Sequence, residues 1–293
     1  MRTILVTGAS GFLGHHLVKT LVDQGDAKII AILGRPEDKA NALPESERLT
    51  VFPSSSMFTT DFGHVDTLIH TAFSRGDSLP DLTRSVEMTE QIIEMVNSQD
   101  FDSIINISTQ GLYRGLKPGE KVDENGFVEP NTAYGLAKWA VENMLKIGCK
   151  KSYTSIRMAS LSANARFLDF FVDSVIAGKD ITVTAPNQYA SIMDVTDAVS
   201  GIIAVGSIDH DKRGSVYNLG TGVQHSILDY AVSANEIGVQ FGCKPIAIKV
   251  DDKGCDFAIC MNCSKIENQV QWRPEITLRK MITNMFNNKF NVL

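Results

Sequence analysis

Residues 3–14, TILVTGASGFLG, constrain the fold of this chain more than any other stretch. A short apolar run ends at Gly8, and glycines recur at 11 and 14. Apolar residues then return at helical spacing at Leu13, Leu17, Leu21 and Val22, up to Gln24. The pattern is a buried strand that passes through a tight turn straight into an amphipathic helix. Each glycine has a use in that geometry. Gly8 permits the turn, Gly11 lets backbone approach a diphosphate, and Gly14 lets the helix lie close on the sheet. The helix N-terminus adds amide donors and a partial positive charge. The turn is read as a dinucleotide cradle, with Ser10, Phe12 and Leu13 among its contacts; the alternative is a tight turn that holds nothing.

The same rhythm continues along the chain. KIIAIL (28–33), DTLIHTA (66–72), DSIINIS (102–108) and YTSIRM (153–158) read as buried strands, and SVEMTEQIIEMV (85–96) and the stretch from Tyr134 read as helices. Continuous apolar strands alternating with helices predict a parallel sheet covered on both faces. The expected fold is α/β: a Rossmann-like doubly wound parallel sheet with a smaller C-terminal substrate domain. The NAD(P)-binding domain is expected over 1–160 with a return segment at about 190–222, and the smaller domain over 161–189 and 223–293.

Chemistry enters at NTAYGLAKW (131–139), where Tyr134 and Lys138 are four residues apart on a helix and so share one face. Neither side chain is one that such a helix needs for packing, yet the spacing alone recurs by chance. Together with the Gly-x-x-Gly-x-x-Gly spacing it resembles the short-chain dehydrogenase/reductase superfamily, specifically the extended branch, the NAD(P)-dependent epimerase/dehydratase family. IHTA (69–72), NISTQGLY (106–113), GSVYNLGTG (214–222) and SKIENQVQWRPEITL (264–278) extend that resemblance over nearly the whole chain.

The resemblance implies an enzyme that transfers hydride at a secondary alcohol or ketone of a sugar or sugar nucleotide, of the 4-keto reductase or 4-epimerase type. It implies Tyr134 as the acid/base, Lys138 beside it holding the nicotinamide ribose, and Thr109, rather than Ser108, bonding the reacting oxygen. Thr71, Ala72, Phe73 and Ala159 join the cofactor contacts. A free tyrosine titrates near 10, so working at neutrality asks for a shift of up to about three units, on the order of 4 kcal/mol. Lys138 in a desolvated cleft and a positive nicotinamide ring are expected to supply it. A homodimer through the helix bearing Tyr134 and the one before it is also implied. Other readings are a dinucleotide-binding redox sensor without catalysis, a reductase of a non-sugar carbonyl, and a structural interaction module.

The departures narrow the substrate. Dehydratases of the family carry Asp-Glu after the threonine, where this chain has Gln110-Gly111. Sugar-nucleotide members place a diphosphate-clamping arginine where NQYASIMDVTDAV, aligned at Gln188, has Ala190. The second anchoring arginine upstream of SKIENQ is missing, and Lys253 is the nearest cation. Arg forks bind phosphate bidentately and one lysine does not replace them. Either the substrate is not an ordinary nucleotide sugar, or its phosphates are held elsewhere, for example by Arg166.

Composition excludes other classes. With 293 residues and 43% hydrophobic content a real core is expected. No run approaches the roughly 18 to 20 apolar residues of a membrane span, and the first strand breaks into glycine too early for a signal peptide, which predicts a cytoplasmic protein. A net charge of −6 with scattered cations argues against nucleic acid and anionic membranes. The expected partner is a small molecule. Five cysteines, one too many for full pairing, are expected to be free. Cys260-x-x-Cys263 with Cys243 and Cys255, and His15-His16, lack the paired spacing of a metal site, so no metal is expected.

The cofactor reading rests on AKIIAILGRPEDK (27–39). NAD-specific members of this fold end the second strand in an acid that binds the ribose and repels a 2′-phosphate. Here Gly34 takes that place, with Arg35 next and Lys39 one turn on. NADP is therefore expected in preference to NAD. The alternative is a solvated loop from which Glu37 or Asp38 bends back to the ribose.

Overall fold

The computed structural model describes residues 1–34, 43–76, 78–113, 115–254 and 258–290. The chain runs β1 (Arg2–Thr7), α1 (Phe12–Gln24), β2 (Ala27–Leu33), β3 (Leu49–Pro53), β4 (Thr67–His70), α2 (Leu79–Ser98), β5 (Ser103–Thr109), α3 (Ala133–Gly148) and β6 (Ser152–Met158). It continues through β7 (Ser160–Leu161), α4 (Arg166–Ile176), β8 (Ile181–Val183), β9 (Tyr189–Ala190), β10 (Ile192–Met193), α5 (Val195–Ser207) and β11 (Val216–Leu219). It ends with β12 (His225–Ser226), α6 (Ile227–Gln240), β13 (Ile248–Val250), α7 (Ser264–Val270) and α8 (Leu278–Phe290).

Seven strands form one parallel sheet in the order β11-β6-β5-β4-β1-β2-β3. The order reverses between β1 and β4, and ligands of open parallel sheets bind at the carboxyl ends of the strands beside such a reversal. Buried Ile4, Leu5, Val6, Leu68, Ile69, Ile104 and Ile105 explain why the central strands read as continuous apolar runs. On one side of the sheet α1 presents Leu17, Val18 and Leu21 to a core shared with Ile202 and Val205 of α5. On the other, Ile92 and Val96 of α2 meet Val141 and Leu145 of α3. β3 has no counterpart in the sequence reading, because its residues are exposed or half-buried at the sheet edge.

A further apolar cluster lies away from the sheet, built from Phe171, Val172 and Val175 of α4, Tyr230 and Ile237 of α6, and Met281 and Phe286 of α8. Parallel pairing of β8 with β13 backs it. Among the described residues no helix is long and apolar enough to cross a membrane.

Candidate active site

The chain leaves β1 through Gly8 at φ +71, a backbone conformation that favours glycine. A Cβ on Gly8 would lie 2.8 Å from the Ala72 backbone, and one on Gly14 would lie 2.2 Å from the Gly8 carbonyl oxygen. Both glycines are therefore fixed by close approach. Gly11 is the N-cap of α1 and provides no side-chain cap, so the orphan amides of the first turn have no partner from that residue.

A cavity of about 420 Å³ lies against this turn, with Gly8, Gly11, Phe12, Leu13 and Gly14 on one wall and Thr109, Tyr134, Lys138 and Ala159 on another. A second cavity, of about 460 Å³, continues from Gly8 and Gly11 to Ser10, Gly34 and Ala72. Thr71 and Phe73 line both. Ser10 and Gly34 are stitched together, since the Gly34 amide donates to Ser10 Oγ at 3.1 Å and Ser54 Oγ donates to the Gly34 carbonyl at 2.9 Å. Arg35 and Lys39, on which the cofactor preference rests, lie outside the described residues, as do Glu37 and Asp38.

Tyr134 stands in the first turn of α3 because Thr132 caps that helix, its Oγ1 accepting from the Gly135 amide at 3.0 Å. The Tyr134 ring meets Phe73 edge-on, with centroids 6.0 Å apart. Lys138 corrects the view that it has no packing role: it is 3% exposed, its Nζ donates to the Ile107 carbonyl at 2.7 Å and lies 3.7 Å from the Phe73 ring centroid. Burial pushes its pKa down to about 7, against the opposing pull of Glu142. Burial also raises the Tyr134 phenol, with Arg75 opposing. The protein by itself thus moves Tyr134 away from the direction expected from sequence, since the loss of water outweighs the nearby charge.

Thr109 closes β5, and its Oγ1 accepts from the Gly111 amide at 3.1 Å. Its neighbour Ser108 has a different engagement, donating to Glu142 Oε1 at 2.5 Å inside the protein. Glu142 in turn pairs with Arg157 at 2.8 Å, both side chains about 5% exposed or less. Gln110, which stands where dehydratases carry an acid, is buried and gives its amide to Ser160 Oγ at 2.9 Å. His70 is also buried: Nδ1 meets Thr7 Oγ1 at 2.8 Å and Nε2 meets Thr89 Oγ1 at 3.0 Å. Burial, reinforced by Lys138, lowers its pKa to about 3, so it is a neutral part of the frame.

The other cations considered for substrate phosphates stand apart. Arg166 opens α4, is exposed and lines neither cavity, and Lys253 pairs with Asp251 at 3.5 Å. Ala190 lies in β9. Sequence reasoning missed Arg75 and Asn164, which line the first cavity and hydrogen-bond to each other through Arg75 Nη1 and Asn164 Oδ1. The one available signal for Arg75 was its place two residues beyond Phe73 in the loop leaving β4. Cys260 and Cys263 are buried free thiols.

Residues 4–220 match a family model described as the NAD dependent epimerase/dehydratase family. A curated relative from Methanocaldococcus jannaschii, named a putative UDP-glucose 4-epimerase, is 26% identical over 97% of each chain. Among solved structures, the UDP-glucose 4-epimerase of Thermotoga maritima with UDP-glucose is similar at TM-score 0.80 and 19% identity over 99% of each chain. The Bacillus cereus UDP-glucuronic acid 4-epimerase in complex with UDP-glucuronic acid and NAD is similar at TM-score 0.82 and 20% identity, covering 99% of this chain and 100% of that one.

Proposed function

The chain belongs to the NAD-dependent epimerase/dehydratase family, and on that premise we propose that it inverts C4 of a nucleotide sugar by reversible oxidation of the C4 hydroxyl. The observation that carries this reading is the convergence of Thr109, Tyr134 and Lys138 on a cavity that also contains the glycine turn, with no Asp or Glu among its described lining residues. The uncapped start of α1 and the close-packed Gly8 and Gly14 suit the diphosphate of a dinucleotide. When bound, that cofactor supplies the hydride acceptor and donor and, oxidised, a positive charge.

In this reading Tyr134 takes the proton from the C4 hydroxyl and later returns it, working as general base and then acid. Thr109 hydrogen-bonds the same oxygen and fixes its direction. Lys138, anchored on the Ile107 carbonyl, keeps a donor beside the phenol and for the ribose. The dinucleotide domain takes 1–160 and the return segment at about 190–222. The apolar cluster of α4, α6 and α8 is the core of the substrate domain.

For the cofactor we favour NADP(H), because Gly34, and not an acid, follows the end of β2. Direct titration should show tighter binding of NADPH than NADH, and Arg35→Ala should weaken NADPH far more than NADH. Equal losses would remove Arg35 from phosphate recognition.

The test of the central reading is incubation with UDP-glucose, UDP-N-acetylglucosamine and UDP-glucuronate, following the C4 configuration by NMR. Conversion to the C4 epimer without net consumption of cofactor is expected. Stoichiometric oxidation of NADPH by a 4-keto sugar nucleotide, without epimer formation, would replace the epimerase with a reductase. Turnover of none of these would sink both.

A further inference from the structure

The first cavity carries an unbalanced charge. Its described lining includes the guanidinium of Arg75 and the amine of Lys138, whose charge burial weakens, and no carboxylate. Lys138 is buried, with Nζ held by the Ile107 carbonyl and lying over Phe73. Arg75 differs on each count. It is exposed, has no ion-pair partner among the described residues, and its hydrogen-bond partner is a neutral amide, Asn164.

Its position is set from two sides. The loop leaving β4 packs Phe73 edge-on against Tyr134, which brings Arg75, two residues on, to the wall that Tyr134 shares. Asn164 follows β7, so the Arg75–Asn164 hydrogen bond joins the loop after β4 to the segment after β7. The charge of Arg75 is felt at the Tyr134 phenol, which places it at the reacting end of the cavity. A guanidinium has five donors in a planar fork, and Asn164 Oδ1 engages one nitrogen. The remaining edge suits a planar or tetrahedral oxyanion, bound bidentately.

We propose that Arg75, steadied by Asn164, reads an anionic oxygen group of the substrate beside the reacting sugar: a carboxylate on the ring or the phosphate attached to it. The inference rests on the nucleotide-sugar reading above and names what that site selects.

The test is Arg75→Gln, with Arg75→Lys and Asn164→Ala beside it. Binding of UDP, UDP-glucose and UDP-glucuronate is measured by calorimetry on the cofactor-loaded protein, and kcat/KM for the two sugars by epimer formation. If the carboxylate is read, Arg75→Gln lowers the preference for UDP-glucuronate over UDP-glucose by at least about tenfold, as expected for charge-assisted hydrogen bonds. If the phosphate is read, all three ligands weaken together by about tenfold or more, UDP included. In either case Arg75→Lys recovers only part of the loss, because an ammonium has no fork. Changes below about threefold for all three ligands would overturn the proposal. Binding that depends on Arg75 without any epimerisation would leave the proposal standing and refute the epimerase reading instead.

Discussion

Tyr134 and Lys138 show how one spacing on a helix leads to two different environments. Both are carried on α3 next to Phe73, but Lys138 is sealed over its ring and Tyr134 meets its edge. If Tyr134 is the acid/base, Tyr134→Phe removes one hydroxyl and should lower turnover by about 10²–10⁴-fold. Cofactor affinity should stay within about twofold, because the ring and its contact with Phe73 are kept. Lys138→Ala should damage both turnover and cofactor binding. A Phe variant that keeps a tenth of the activity would reassign the proton. His70 offers a separate test in stability. Its folded pKa of about 3 lies below the unfolded value near 6.5, so between these limits the unfolded chain binds more protons. Stability should therefore fall as pH drops below about 6.5, by up to about 1.4 kcal/mol per unit. His70→Gln should flatten that acid limb in urea titrations at pH 4.5 to 6.5, and an unchanged slope would show that His70 does not set it.

At the scale of elements, the site depends on how α3 is held to β5 and β6. Glu142 lies one turn beyond Lys138 and accepts from Ser108 at the end of β5 and from Arg157 near the end of β6. Arg157 also donates to Tyr113 Oη at 2.9 Å, and Tyr113 donates to Asn218 of β11 at 2.7 Å. This buried network ties the helix of Tyr134 to the strand of Thr109. Glu142→Gln leaves Arg157 charged and unpaired, which should cost about 3–5 kcal/mol. Replacing both, as Glu142→Leu with Arg157→Met, should cost less than the sum of the single changes in denaturant titrations. Strict additivity would mean the two do not act as a pair.

None of this network was legible in the sequence, because its members are joined by tertiary contact across up to 105 positions and carry no periodic signal. What was legible had a local cause. The glycine turn, the apolar central strands and the Tyr134–Lys138 spacing each follow from backbone geometry within one or two elements. The β3 edge strand, half exposed, and Arg75, placed by a loop, have no such cause and were missed.

At the scale of the whole molecule, the remaining question is what covers α3. The helix exposes Leu136 at 57% and Ile147 at 85%, with small Ala140 exposed between them, while its other face is built into the core. Two large apolar side chains in water on the helix that carries Tyr134 and Lys138 fit a contact with a second copy, and a two-fold axis would set α3 against its own counterpart. The neighbouring α2 exposes Glu87, Glu90 and Glu94, so dimerisation brings like charges closer. We therefore expect a homodimer whose affinity rises with salt, since screening shortens to about 10 Å at 0.1 M and less above it. Analytical ultracentrifugation at 0.02 M and 0.5 M salt checks this, with a species of about twice the chain mass favoured at the higher concentration. Leu136→Asp should shift the chain to monomer, because it puts a charge on the exposed face of α3 opposite Tyr134 and Lys138. A wild-type protein that sediments as a monomer at both salt concentrations and at tens of micromolar would exclude the α3 interface.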